Sequence, residues 1–79
     1  MHFSNDYELF KTIGQNIKLY RQQNSLTQKE LASLAGISIS YISKLEASGC
    51  NKSLSISVLN KLANILHVDI TAFFSIKSP

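Results

Sequence analysis

The chain has little of what small domains commonly use as staples. It contains one cysteine, Cys50, so no internal disulfide can form, which suits a reducing compartment. Cys50 and the two histidines, His2 and His67, make no paired set at metal-ligand spacing, which excludes a structural zinc site. Its one proline stands at the C-terminus and it has only three glycines, so the sequence is neither loop-rich nor a sandwich of short strands. No apolar run approaches the ~20 residues that span a bilayer. The start, Met1-His2-Phe3-Ser4-Asn5-Asp6, has neither the cationic nor the apolar region of a signal peptide. A cytoplasmic protein without membrane association is expected. Also missing are a Ser-His-Asp or Cys-His arrangement, a glycine loop to cradle phosphate, and room for a deep pocket. No enzymatic activity, cofactor or small-molecule ligand is expected.

Seventy-nine residues make one domain, and an apolar fraction of 44% is too high for a disordered chain. A chain this short leaves much of its apolar surface uncovered unless helices pack tightly or a partner contributes. The net charge of +3 is uneven: residues 10–61 carry seven cations (Lys11, Lys18, Arg21, Lys29, Lys44, Lys52, Lys61) against two acids (Glu30, Glu46), or +5. A basic middle is the weak footprint of a polyanion binder.

Apolar periodicity then divides the chain. Residues 1–6 have little apolar content and are expected to be frayed. Over 7–23, Phe10, Ile13, Ile17 and Tyr20 recur at three- and four-residue spacing, one face of an amphipathic helix. Asn24-Ser25 breaks it. Thr27-Gln28-Lys29-Glu30 fits a capping box, opening a short helix through Leu31, Ala32, Leu34 and Ala35 that Gly36 ends. Ser38 caps a third helix, 39–47, which buries Ile42 and Leu45. Residues 47–54, with Ser48, Gly49 and Asn51, read as a loop. Ser55 caps a fourth helix with the stripe Ile56, Leu59, Leu62, Ala63 and Leu66, and Asp69 caps a last short one, 70–74. An all-α domain of five helices over 7–74, with a tail at 75–79, is expected.

Two short helices joined around a glycine are the specification of a helix-turn-helix, here helices two and three over 27–46. Ala32, one turn before Gly36, is small enough to let the second helix cross closely. Capping box, small residue, turn glycine and the inward Ile42/Leu45 pair agree in order and spacing.

These residues resemble the Cro/C1-type (XRE-like) helix-turn-helix regulators, which include lambdoid phage repressors and restriction–modification controller proteins. The likeness lies in IGQNIKLYR (13–21), LTQKELASLAG (26–36), SISYISKLE (38–46) and LNKLANILHVDITAFF (59–74). The controller proteins are similar in size and layout. The sequence departs from the family pattern in a longer loop after Glu46 that lacks the common Asn-Pro-Ser before helix four.

The resemblance implies a five-helix lambda-repressor-like fold, double-stranded DNA as partner, and site roles. Gln28 matches a glutamine that bonds a phosphate at the start of helix two, where the helix dipole favours an anion. Ile39, Ser40 and Lys44 match positions facing base edges, Ile39 against a thymine methyl and Lys44 toward guanine acceptors or a phosphate. Ser43, one turn away, can also see the groove. Tyr41 matches a tyrosine whose hydroxyl touches the backbone, with burial of its ring as the alternative. Ser38 is first a cap, with a phosphate in reach. Arg21 and Glu46 match an internal salt bridge from helix one to the end of the recognition helix. The other lysines read as solvated, His67 as a helix end, and Cys50 as a small loop residue.

Val68, Ile70, Phe73, Phe74 and Ile76 crowd a short stretch that one small domain cannot fully cover, so a homodimer through Ile70, Phe74 and Ile76 is expected. With the domain filling the chain, regulation would come from dimerisation and operator occupancy, as activator or repressor. The alternative is an antitoxin-like protein-interaction module on the same fold. Against it stand Gln28, Ser40 and Lys44, polar residues suited to phosphate and bases at exposed positions.

Overall fold

The computed structural model describes residues 2–48 and 54–76, and among them every regular element is helical. There are four α-helices, α1 (Asp6–Gln23), α2 (Gln28–Ala35), α3 (Ile39–Ser48) and α4 (Ile56–Leu66), followed by a 3₁₀ helix at Ile70–Phe74. The expected fifth α-helix is therefore a 3₁₀ helix. In five residues few i→i+4 bonds can form, and the bond from Ala72 N to Asp69 O, 2.9 Å, closes the tighter turn.

Local chemistry sets the helix ends. Asn5 accepts from Glu8 N at 2.9 Å, so α1 begins within the stretch expected to be frayed. Thr27 and Glu30 close a reciprocal capping box at 3.0 and 2.9 Å. The Thr27 bonds hold the Glu30 carboxyl below the ordinary carboxylate range. Gly36 ends α2 at φ +68, a left-handed conformation that costs glycine nothing. Ser38, Ser55 and Asp69 cap the three later elements. The loop expected at 47–54 begins later, because α3 runs on to Ser48. Cys50 and Lys52 lie outside the described residues.

The core joins Ile13 and Ile17 of α1, Leu31 and Ala35 of α2, Ile42 and Leu45 of α3, Leu59, Leu62 and Leu66 of α4, and Phe73. α1 packs on α3 and on the 3₁₀ helix, while α2 lies against α3 and α4. Two expected stripe members fall outside it: Leu34 is 61% exposed and Ile56 70%. Leu34 sits between the inward Leu31 and Ala35, off their face, and Ile56 is the first residue of α4, where burial begins only at Val58 and Leu59.

His67 takes the place glycine holds at Gly36: it ends α4 with φ 59. A side chain in that region costs about 1–2 kcal/mol, part of which glycine returns as unfolded-state entropy. His67→Gly is expected to stabilise the protein by about 0.5–1 kcal/mol, raising Tm by about 2–8 °C in a domain of this size. A thermal melt with unchanged or lower Tm would contradict it.

Candidate nucleic-acid interface

The helical period sorts α3 into two faces. Ile42, Leu45 and Glu46 are buried, whereas Ser40, Ser43 and Lys44 are exposed and Ile39 is 46% exposed. Ile39, Ser40, Ser43 and Lys44 are spaced i, i+1, i+4 and i+5, so they form one continuous outward strip. The strip combines an apolar methyl-bearing group, two hydroxyls that donate or accept, and a flexible ammonium. Such a set suits the edge of a base pair better than a protein core. Ser38 heads the helix, its Oγ accepting from Tyr41 N at 3.0 Å, and is exposed.

Tyr41 lies apart from that strip. It is half-buried, and its hydroxyl is a buried polar atom without a hydrogen-bond partner. Burial pushes the phenol above its ordinary range, since the phenolate is the harder form to desolvate. A buried unpaired hydroxyl costs about 1–3 kcal/mol. Tyr41→Phe is therefore expected to raise Tm by about 4–8 °C, the shift for a gain near 1 kcal/mol. A phenylalanine protein that melts earlier would show that the hydroxyl finds a partner in the free protein.

Behind the strip is a charged knot. Arg21 Nε donates to Glu46 Oε2 at 2.6 Å and Nη2 to Oε1 at 2.9 Å, a two-pronged pair with both residues buried. Arg21 Nη1 donates to the Leu26 carbonyl at 2.7 Å, and Gln28 Nε2 to Glu46 Oε1 at 3.1 Å. Gln28 is thus half-buried and committed on one side, where the sequence suggested an open phosphate ligand.

Three further positions escaped the sequence reading. Asn16 is buried and donates to the carbonyls of Phe73 (2.8 Å) and Ser75 (2.7 Å), tying the chain after α4 to α1. Asn24 donates to Tyr20 O at 2.8 Å and Leu66 O at 3.1 Å, joining the ends of α1 and α4. Lys61 Nζ donates to Ala35 O at 3.3 Å, at the negative end of α2, so it is not the purely solvated lysine expected. Asn16 left one signal: it falls on the apolar face of α1, three residues after Ile13.

Of the residues expected at a dimer interface, Ile70 and Phe74 are half-buried and Ile76 is 63% exposed. Phe73 is the one that turns fully inward, its ring 6.3 Å from that of Tyr20. A shallow groove lined by Thr12, Gln15, Asn16, Leu19, Ser75 and Ile76 runs beside the exposed isoleucine. Among the described residues no group of acids, cysteines and histidines could hold a metal, and no helix is long and apolar enough to cross a membrane.

Comparison with known proteins places this geometry. The model of the helix-turn-helix family matches residues 17–73. The immunity repressor protein of Bacillus phage phi105 is 39% identical over 61 residues, 77% of this chain and 41% of the repressor. This chain therefore spans less than half of that relative. Among solved structures, the biofilm master regulator SinR in complex with DNA superposes with a TM-score of 0.72 at 35% identity, over 80% of this chain and 98% of that one. The restriction-modification controller protein C.AhdI from Aeromonas hydrophila gives a TM-score of 0.74 at 29% identity, over 82% and 96%.

Proposed function

Because this chain belongs to the helix-turn-helix family, we propose that it is a sequence-specific double-stranded DNA-binding transcriptional regulator, acting in the cytoplasm. α2 and α3 with the turn at 36–38 form the reading unit, and α3 enters the major groove. The observation that carries this reading is the outward strip Ile39, Ser40, Ser43 and Lys44 on a helix whose other face is core. Ser40 and Lys44 read base edges, Ile39 packs on a thymine methyl, and Ser43 lies in the same groove. Gln28 and Ser38 position the domain on phosphates at two helix starts. Tyr41 adds a backbone contact only by turning its buried hydroxyl outward on binding, where a duplex phosphate gives it the partner that the free protein lacks.

The operator is a palindrome bound by a homodimer, with Ile70, Phe74 and Ile76 at the twofold axis. The support is the exposed Ile76 beside two half-buried apolar neighbours. Two recognition helices about 34 Å apart would then read two half-sites. The names of the relatives, an immunity repressor and a controller protein, support the regulatory role.

Selection of bound duplexes from a random pool tests the reading. One motif should emerge, and affinity should fall steeply with salt as counterion release weakens. Lys44→Ala should cost about 1–3 kcal/mol and relax preference at one position per half-site. Equal binding to every duplex, or none at low salt, would sink the reading. Unchanged affinity and preference in Lys44→Ala would mean that α3 is oriented otherwise. Sedimentation at micromolar concentration tests the dimer, and a monomer throughout removes it.

A further inference from the structure

The Glu46 carboxylate accepts three hydrogen bonds, two from Arg21 and one from Gln28. A carboxylate only accepts, so the amide nitrogen of Gln28, and not its oxygen, must face it. Through the further bond from Arg21 to the Leu26 carbonyl, one ion pair joins the end of α1, the segment before α2, the first residue of α2 and the inner face of α3. The Gln28 amide has two hydrogens, and Glu46 Oε1 takes one of them. An amide fixed by a buried charge has fewer rotamers to lose when it meets a ligand, so ordering it on binding costs less.

We propose that Gln28 couples this knot to DNA: Glu46 fixes the amide through one hydrogen and thereby presents the other to a phosphate oxygen. The inference rests on the DNA-binding reading and narrows it. Glu46 touches no DNA in this arrangement. It is a positioning residue, and it sets affinity for all duplexes alike, because a phosphate carries no sequence information. It also aligns two events, since the charge that holds the inner face of α3 also sets the contact at the start of α2. A protein docked on the backbone through Gln28 therefore has α3 held in one pitch for reading.

A double-mutant cycle on a duplex selected by the parent protein tests this, with binding measured well below each variant's melting temperature. Gln28→Ala should weaken all duplexes about tenfold, as for a hydrogen bond to a charged group. Glu46→Gln keeps the size and removes the charge. It should weaken binding about fivefold in the parent and add almost nothing in the Gln28→Ala background, which is the signature of coupled sites. A purely structural role would give the same loss in both backgrounds, and that result overturns the coupling. No loss in Gln28→Ala overturns the phosphate contact itself. Failure of the parent to select any duplex refutes the DNA-binding reading, and it is seen before any variant is made. Should Glu46→Gln not fold, side-chain amide NMR of the parent decides. On adding duplex, one Gln28 amide proton should shift while the one facing Glu46 stays. Movement of both or neither overturns the proposal.

Discussion

Glu46→Ala is expected to lower stability by about 3 kcal/mol and Tm by about 12–24 °C, the largest loss from any single charged residue here. The Arg21 side chain is 10% exposed and that of Glu46 2%, so neither charge has much water to fall back on. Alanine would leave Arg21 with Nε and Nη2 unpaired, and Gln28 Nε2 would lose its acceptor. Breaking a buried pair by removing one partner costs about 3–5 kcal/mol because the remaining charge stays desolvated. The lower end applies, since Nη1 keeps the Leu26 carbonyl and the guanidinium has some access to solvent. The preference for particular bases should survive in the folded fraction, because the outward strip of α3 is untouched. The double change Arg21→Met with Glu46→Leu should recover most of the loss, since apolar packing can replace a buried ion pair. Chemical denaturation of the parent and the two variants checks this. A Glu46→Ala protein as stable as the parent would mean that the pair contributes nothing net.

The readable and unreadable parts of this chain differ by distance along it. The capping box at Thr27 and Glu30, the left-handed Gly36 and the caps at Ser38, Ser55 and Asp69 all act within three residues, and each was legible from residue types alone. Helix existence followed from the same short-range periodicity. The type of the last element did not, because five residues after a cap satisfy either helical geometry. Stripe membership failed at Leu34 and Ile56 because periodicity gives the face of a helix but not where its neighbours cover it.

The polar joints were out of reach for the same reason. Gln28 meets Glu46 across 18 positions, Lys61 meets Ala35 across 26, Asn24 meets Leu66 across 42, and Asn16 meets Phe73 across 57. Nothing in the local sequence names such partners. Arg21 and Glu46, 25 positions apart, could be paired only through the family resemblance. A polar residue on an apolar face is the general clue: it must be satisfied, so something distant has to reach it.

Asn16 makes the second large prediction. It is 3% exposed, and it donates to two carbonyls that flank the end of the 3₁₀ helix. Asn16→Ala is expected to cost about 2–3 kcal/mol. The Phe73 carbonyl would be left in the interior unpaired, at about 1–3 kcal/mol, while that of Ser75, on a half-buried residue, can turn to water. Asn16→Leu separates the contributions: it restores volume and apolar contact but still donates nothing, so it should remain well below the parent. The consequence extends from folding to assembly. Asn16 fixes the backbone on either side of Phe74 and one residue before Ile76, two of the three residues proposed at the dimer axis. Freed of that tether, the segment can detach from α1 while the contacts among α1, α3 and α4 persist. Association should then weaken by at least about tenfold, or 1.4 kcal/mol, and operator binding with it, since both half-sites must be held at once. Hydrogen exchange at Phe74 and Ile76, with sedimentation on the same samples, reads both effects. Faster exchange with undiminished association would detach the tether from the dimer, and an Asn16→Leu protein as stable as the parent would show that the two hydrogen bonds hold nothing in place.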